Sequence, residues 1–257
     1  MEVDGIKMCS GTGNLPASFD KAFQANTIKG GWEVETIRLF KQLAKEGDTV
    51  VDIGAHIGYY TLLAARIVGD TGKVYAFEPD PANHDVLVGN IKLNGFQNVV
   101  TVRKAISDKN GQIELYLNEK NTGGHSIYRP EKVKRLVVVE SVTLDDYFKN
   151  REHPIDIVKM DIEGAEMAAL SGMRKIIETN ENLKIFAEFH PAWVKKAGVS
   201  PEYFISQLLD HYNFSVTAIQ DYARPVKSAR IGSPVELMDI CRDAKVVNLL
   251  LEKKHRA

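Results

Sequence analysis

Apolar residues recur along this chain in two rhythms, short unbroken runs and stripes spaced three or four apart, and their alternation predicts an α/β fold. Residues 1–31 follow neither rhythm. Gly11-Thr12-Gly13, Pro16 and Gly30-Gly31 interrupt them, which predicts an irregular N-terminal arm and a candidate lid. From Trp32 onward Val34, Ile37, Phe40 and Leu43-Ala44 fall at helical spacing, with Gly47 placed as a C-terminal cap. Val50-Val51-Asp52-Ile53 reads as a buried strand that meets Gly54 and Gly58 before Tyr59-Tyr60-Thr61 opens a second helix. Lys73 to Glu78 is the next strand, closed by Pro79. Asp80-Pro81 then supplies an N-cap and a first helical residue, Asn94-Gly95 ends that helix, and Val99–Val102 makes a third strand.

The second half keeps the pattern with one interruption. Ile113, Leu115 and Leu117 alternate with polar residues, and Val137 and Val139 do so again after a polar stretch. An inserted hairpin and loop at about 109–142 follows, able to reach over a site mouth or to serve as a solvated connection. Thr143–Phe148 is a capped short helix. Ile155–Met160 is a fourth strand, followed by a helix whose core face is Leu170, Met173 and Ile177. Lys184–Ala187, Phe214–Ile219 and Val246–Leu251 bring the count to seven strands, with a helix opened by Ser200-Pro201 between the first two. Gln220 to Lys245 is long for a connection, which predicts a functional flap or a helix-bearing insertion. Residues 32–257 read as one domain, and nothing in the sequence suggests an internal linker or repeat.

The chemistry begins at the glycine turn. Gly54 and Gly58 allow a sharp bend and the close approach of a ligand, and the first turn of the following helix offers N–H groups to a carboxylate or phosphate. Glu78 ends the next strand, where an acid accepts hydrogen bonds from ribose hydroxyls. Together they suggest an adenosine-containing cofactor. The spacing Asp52-x-Gly54-x-x-x-Gly58 is a poor match to the dinucleotide fingerprint G-x-G-x-x-G, and there is no phosphate-binding loop ending in Gly-Lys-Ser/Thr.

Val51-Asp52-Ile53-Gly54-Ala55-His56-Ile57-Gly58-Tyr59-Tyr60-Thr61, Phe77-Glu78-Pro79 and Lys159-Met160-Asp161-Ile162-Glu163-Gly164-Ala165-Glu166 resemble, in that order, the motifs of the FkbM family of S-adenosylmethionine-dependent methyltransferases. The resemblance runs from about Gly30 to Phe189. It implies a Rossmann-like class I methyltransferase fold, a seven-stranded mostly parallel sheet with helices on both faces. It also implies S-adenosylmethionine as cofactor, with Asp52, Gly54, Ala55, His56 and Gly58 near its methionine end and Glu78 with Pro79 at the ribose. Ala105, Ile106 and Asp108 stand where related enzymes cover the adenine, although Asp108 suits a turn equally well, ahead of Asn110-Gly111. Glu33, in Gly30-Gly31-Trp32-Glu33, is placed either near the cofactor's ammonium or simply as an acid favouring a helix N-terminus. His56 departs from the asparagine usual in the family.

Asp161 ends the fourth strand on the same sheet edge as Gly54 and Glu78, a position that suits both cofactor contact and catalysis. Glu188 and His190 alternate onto one side of the fifth strand's end, and a carboxylate and an imidazole there suit proton abstraction. Asp161, Glu188 and His190 are therefore the catalytic candidates. They are few ligands for a dedicated magnesium or calcium site, so a protein base is preferred to a metal. Glu166 reads as dipole compensation at a helix start, and Glu163 suits either use.

Composition narrows the partners. A formal net charge of -1 over 257 residues supplies no drive toward nucleic acid or anionic membrane. An Asn/Asp-Pro-Pro-aromatic tetrapeptide and a Pro-Cys pair are both absent, which also points away from nucleic-acid bases. The expected acceptor is a hydroxyl of a small molecule or carbohydrate, and oligomeric state is not legible. Cys9 and Cys241 are too few and too far apart for a disulfide framework, so reduced thiols and a cytoplasmic setting are expected. The most apolar long window, residues 49–68, contains Asp52, His56 and Arg66 and is unfit to span a membrane. Two competing functions remain: a nicotinamide-dependent oxidoreductase, disfavoured by the missing glycine fingerprint, and an inactive cofactor-binding module.

Overall fold

The structure, a computed structural model, describes residues 2–9, 32–133, 135–151, 153–221, 226–243 and 245–254. It opens with a small hairpin, Glu2–Val3 (β1) and Ile6–Lys7 (β2), whose turn places Asp4 and Gly5 in the left-handed region. Ile6 and Met8 are buried. The Asn94 carboxamide exchanges two hydrogen bonds with the backbone of Lys7, and Asn90 does the same for Cys9. Two helix side chains thus stand in for a neighbouring strand, so this part of the arm is more ordered than its polar composition suggests. The expected lid in residues 10–31 falls outside the described residues.

In chain order the remaining strands are Thr49–Ile53 (β3), Lys73–Phe77 (β4), Val99–Val102 (β5), Ala105–Ile106 (β6), Gly111–Leu117 (β7) and Arg135–Val142 (β8). Ile157–Met160 (β9), Lys184–Phe189 (β10), Phe214–Gln220 (β11), Lys227–Ile231 (β12) and Val247–Lys253 (β13) follow. The central sheet has the order β12-β11-β13-β10-β9-β3-β4-β5. From β10 to β5 all neighbours are parallel, and β13 runs antiparallel between β10 and β11. The sheet therefore has eight strands, not the expected seven. The addition, β12, lies in the long 220–245 connection beside a helix, Pro234–Asp243. Its first four residues are exposed and it is held by backbone pairing to β11, so no hydrophobic pattern announces it.

Both faces of the sheet are covered, and period-2 alternation divides each apolar strand between them. Val51 and Ile53 of β3 pack with Val158, Met160, Ile185 and Ala187 under the helices Glu166–Ser171, Arg174–Thr179 and Pro201–Ser206. Val50, Ile157 and Phe186 point the other way, toward the helices Val34–Leu43, Tyr59–Val68 and Pro81–Asn94. Burying each such side chain contributes roughly 1.5 to 3 kcal/mol, which explains the apolar runs. The helix Pro81–Asn94 has the predicted ends. Asp80 accepts the Asn83 N–H at 2.9 Å and Gly95 turns left-handed at φ 72°. The first helix stops earlier than predicted, at Leu43 with Ala44 extended, because the Lys45 N–H is taken by Asp48 at 2.8 Å and Gly47 serves the turn into β3.

The hairpin β7–β8, with β6 parallel to β8, makes a separate three-stranded sheet. Asn110-Gly111 is the bend from β6 into β7 and not the hairpin's own turn. The Asn110 Oδ1 atom accepts the Thr143 N–H at 2.9 Å and ties the insertion to the main body. Gly172, at the end of the helix Glu166–Ser171, completes this junction. A Cβ there would stand 2.0 Å from the Ser107 carbonyl oxygen. Gly172→Ala must push β6 off the helix end, and we expect it to destabilise the protein by roughly 1 to 3 kcal/mol in urea denaturation. An unchanged midpoint would mean that the two elements separate freely.

Candidate functional site

Chain order reverses at β3, with β4 and β5 to one side and β9 and β10 to the other, so a cleft opens at the carboxyl ends of β3 and β9. The Asp161 N–H donates to the Ile53 carbonyl at 3.1 Å, while those of Gly54 and Ala55 both donate to the Phe77 carbonyl. Gly54 has φ 79°, and a Cβ there would lie 2.1 Å from the Asp161 carbonyl oxygen. The backbone of β9 therefore demands this glycine before any ligand does. Gly58, at φ 98°, would direct a Cβ to 2.6 Å from Leu87, so it serves helix packing and lines neither lobe of the cleft.

The first lobe, about 540 Å³ counting the part open to solvent, lies between Phe77, Ile106 and Ile127, with Glu78, Pro79 and Ala105 also in its wall. Glu78 is buried, and its two oxygens accept the N–H groups of His56 at 2.8 Å and Asp80 at 2.9 Å. A carboxylate has about four acceptor positions, so these bonds orient it while leaving capacity for hydroxyl donors. Burial pushes its pKa up to about 7, against the pull of those two N–H groups. The loop of the inserted hairpin covers this lobe. The His56 ring meets the Thr122 hydroxyl at 2.9 Å, and the Asn83 amide donates to the Thr122 carbonyl at 3.0 Å. Burial, with His125 nearby, drives His56 down to about 3, so it is a neutral imidazole.

The second lobe, of about 890 Å³, shares Gly54, His56, Gly123 and Asp161 with the first and also includes Ala55. Its floor is a row of charge across three strands. Asp52 pairs in register with Lys159, Lys159 pairs with Phe186, and Glu188 follows two residues later on the same face. Lys159 is 2% exposed, its Nζ has no hydrogen-bond partner among the described residues, and it lies 3.7 Å from Asp161 and 5.0 Å from the Tyr60 ring centroid. Burial alone would lower its pKa. The carboxylates of Asp161, Glu33, Glu188 and Asp52 outweigh burial and raise it. The Tyr60 hydroxyl donates to Glu33 at 2.5 Å, and that of Thr61 donates to Asp52 at 2.5 Å. Burial raises both acids, Asp52 to about 6, and raises Glu188 well above the usual carboxylate range.

Glu33 faces this lobe because another residue caps its helix. Asp221, at the end of β11, accepts the N–H groups of Glu35 and Thr36 at 2.7 and 3.1 Å and the Thr36 hydroxyl at 2.5 Å. Glu33, Asp161 and Glu188 each offer an oxygen within 4.8 Å of the others, a spacing a cation could use. The Lys159 ammonium already stands among them, and a divalent ion there would be repelled by it.

Besides Gly58, two predicted residues are not brought into either lobe. The His190 Nδ1 atom accepts the Ala192 N–H at 3.2 Å as the N-cap of the helix Pro191–Lys196, so Glu188 enters the cleft without it. Asp108 is exposed and accepts the Ser107 hydroxyl at 3.1 Å, which is the turn alternative. Glu166 is buried, holding the N–H groups of Ile162 and Gly164, whereas Glu163 lines the second lobe. Lys159, Tyr60, Thr122 and Asp221 were not anticipated. For Lys159 a signal existed, a lone charge inside the apolar run Ile157-Val158-Lys159-Met160.

A mostly parallel sheet in which β13 and the edge strand β12 run against the other six, with an acid-lined cleft at the switch point, is the fold of the class I S-adenosylmethionine-dependent methyltransferases. The profile of the methyltransferase FkbM domain matches residues 52–216, and the chain belongs to that family. It is 26% identical over 187 residues to the hexuronic acid methyltransferase AglP of Haloferax volcanii, covering 72% of this chain and 70% of that protein. It is 27% identical over 200 residues to methyltransferase sdnD of Sordaria araneosa, covering 65% and 74%. An rRNA methylase structure from Streptococcus thermophilus superposes with a TM-score of 0.50 at 16% identity, over 86% of this chain and 95% of that one, a likeness of fold alone. Among the described residues no helix is long and apolar enough to cross a membrane.

The buried acids predict a pH dependence. Besides Glu78, burial raises Glu166 to about 7 and Glu163 to about 8, so the folded protein binds protons there that the unfolded chain has released. Stability must fall as pH rises through those values. The lowered histidines act oppositely but only below their unfolded pKa of about 6.5, which leaves the window from about 6.5 to 8.5 to the acids. We expect the urea midpoint of the ligand-free protein to decline across that window, and Glu163→Gln to flatten the decline. A midpoint that climbs from 6.5 to 8.5 would contradict these assignments.

Proposed function

We propose that this methyltransferase transfers the methyl group of S-adenosylmethionine to a hydroxyl of a small molecule or sugar. The observation that carries the reading is the row Asp52–Lys159–Glu188 with Asp161 and Glu33 beside it, opening from an apolar lobe that ends at Glu78. The residues fit the cofactor. Phe77, Ile106 and Ile127 suit an adenine, the spare acceptor capacity of Glu78 suits ribose hydroxyls, and the buried Lys159 Nζ without a hydrogen-bond partner suits the carboxylate of an amino acid. Glu33 and Asp52 suit its ammonium. Family membership removes the basis for the nicotinamide alternative.

When bound, S-adenosylmethionine supplies a methyl group already activated by its sulfonium. What remains for the chain is to hold a hydroxyl in line and remove its proton as the new C–O bond forms. Asp161 suits this role. Its carboxylate belongs to both lobes, is a third exposed, and faces the Lys159 ammonium. Glu188, which burial and the neighbouring Asp161 and Glu163 raise well above the usual carboxylate range, offers an oxygen within 4.8 Å of an Asp161 oxygen. His190 stays a helix cap in this scheme, and the lysine among the acids favours a metal-free reaction. The relative named for a hexuronic acid supports a carbohydrate acceptor.

Calorimetry should show binding of S-adenosylmethionine and S-adenosylhomocysteine but not of NAD. Glu78→Ala should cost about 1.5 to 3 kcal/mol of that binding. NAD bound in preference to both would reject the reading. Once an acceptor is in hand, turnover should survive exhaustive chelation, and Asp161→Asn should lower kcat about a hundredfold or more. Activity lost to a chelator and restored by magnesium or manganese would turn the same carboxylates into ligands.

A further inference from the structure

A second concavity, of about 660 Å³, lies on the other side of the covering loop. Tyr128 from the inserted hairpin and Trp193 from the helix Pro191–Lys196 contribute aromatic surface to it, and Lys120, Lys132 and Lys196 contribute charge. Among the described residues Glu119 is the single acid in the wall, and three cations against one anion leave a net charge of +2, in a chain whose total is -1. None of the three lysines takes part in an ion pair among the described residues. The Lys196 Nζ is held 4.0 Å from the Trp193 ring centroid, which fixes one ammonium beside an indole.

The groove adjoins the cleft through one residue. Glu163 lines the acid-rich lobe with its side chain, while its carbonyl accepts the hydroxyl of Ser126, a residue of the groove wall, at 3.0 Å. Its backbone is left-handed at φ 52°, and on the next residue a Cβ would meet the Trp193 carbonyl at 2.9 Å. A molecule lying against Tyr128 and Trp193 therefore ends next to the acids of the cleft.

We propose that this groove is the acceptor subsite and that it takes a carbohydrate bearing a carboxylate. Sugar rings present C–H faces that pack on aromatic side chains, and a uronate carboxylate finds charge-assisted partners in Lys132 and Lys196. The proposal rests on the methyl-transfer reading for its meaning but not for its detection, since binding is measurable without turnover. The probes are a galacturonic acid trisaccharide and the neutral galactose trisaccharide, titrated by calorimetry into the full chain in the presence of S-adenosylhomocysteine. The acidic trisaccharide should bind about tenfold or more tightly than the neutral one and weaken as salt is raised. Lys132→Glu combined with Lys196→Glu should remove that preference, and Trp193→Ala should weaken both sugars, with S-adenosylhomocysteine affinity unchanged. Equal binding of the two sugars, an acidic preference that survives the double substitution, or tighter binding of a short RNA oligonucleotide would overturn the proposal. Loss of S-adenosylhomocysteine binding in the unsubstituted protein, with uronate binding intact, would instead reject the methyl-transfer reading and leave the sugar site standing.

Discussion

A lysine ammonium withdrawn from water into the middle of a β-sheet costs several kcal/mol unless the protein surrounds it with compensating charge. Lys159 is in that position, and its compensation comes from four separate places: Asp52 on β3, Asp161 after β9, Glu188 on β10 and Glu33 ahead of the first long helix. The dependence is mutual. Without the ammonium, those carboxylates would be like charges crowded in a low-dielectric cleft and would have to take up protons. The placement of three strands and a helix start is thus tied to one side chain. The same balance keeps a polar, hydratable cavity open in what would otherwise close as core.

That balance explains why the helix start is built as it is. A helix normally satisfies its first N–H groups with its own N-cap side chain, but Glu33 takes a left-handed backbone and sends its carboxylate toward Tyr60. Asp221 does the capping from across the sheet. Asn248, next to Glu188 in register, donates to Asp221 at 3.3 Å and links the cap to the acids. A capping interaction of about 1 kcal/mol is made by a distant residue so that a local one is free for the cleft.

Much of this was legible in the sequence, for identifiable reasons. β3, β4, β9, β10, β11 and β13 are apolar runs because they are buried on both faces, and the Asp80-Pro81 and Ser200-Pro201 helix starts follow local stereochemistry. Glu78 and Asp161 could be placed because strand ends share one edge of a parallel sheet. β12 could not be seen, since backbone pairing and the single buried Ile231 hold it and its other four residues are exposed. Nor could the strand-like partnership of Asn90 and Asn94 with the N-terminal segment, or the capping role of Asp221, because each joins residues more than eighty positions apart. His190 shows how alternation misleads at a strand's end. The extended backbone stops at Phe189, the next residue turns to cap a helix, and the side expected for its ring is lost.

Backbone strain is distributed in keeping with this. Five non-glycine residues among those described have positive φ, and three of them, Glu33, His56 and Glu163, line the acid-rich lobe. Each costs roughly 1 to 3 kcal/mol and persists only where neighbours fix it. The neighbours are specific: the His56 N–H is held by Glu78, the Glu163 carbonyl by Ser126, and the Glu33 carboxylate by Tyr60. The first two of these holds link the cleft to the elements around it, Glu78 to the apolar lobe and Ser126 to the covering loop. A ligand that changes the hydrogen bonding of Glu78 or displaces that loop therefore acts directly on a strained residue in the cleft wall.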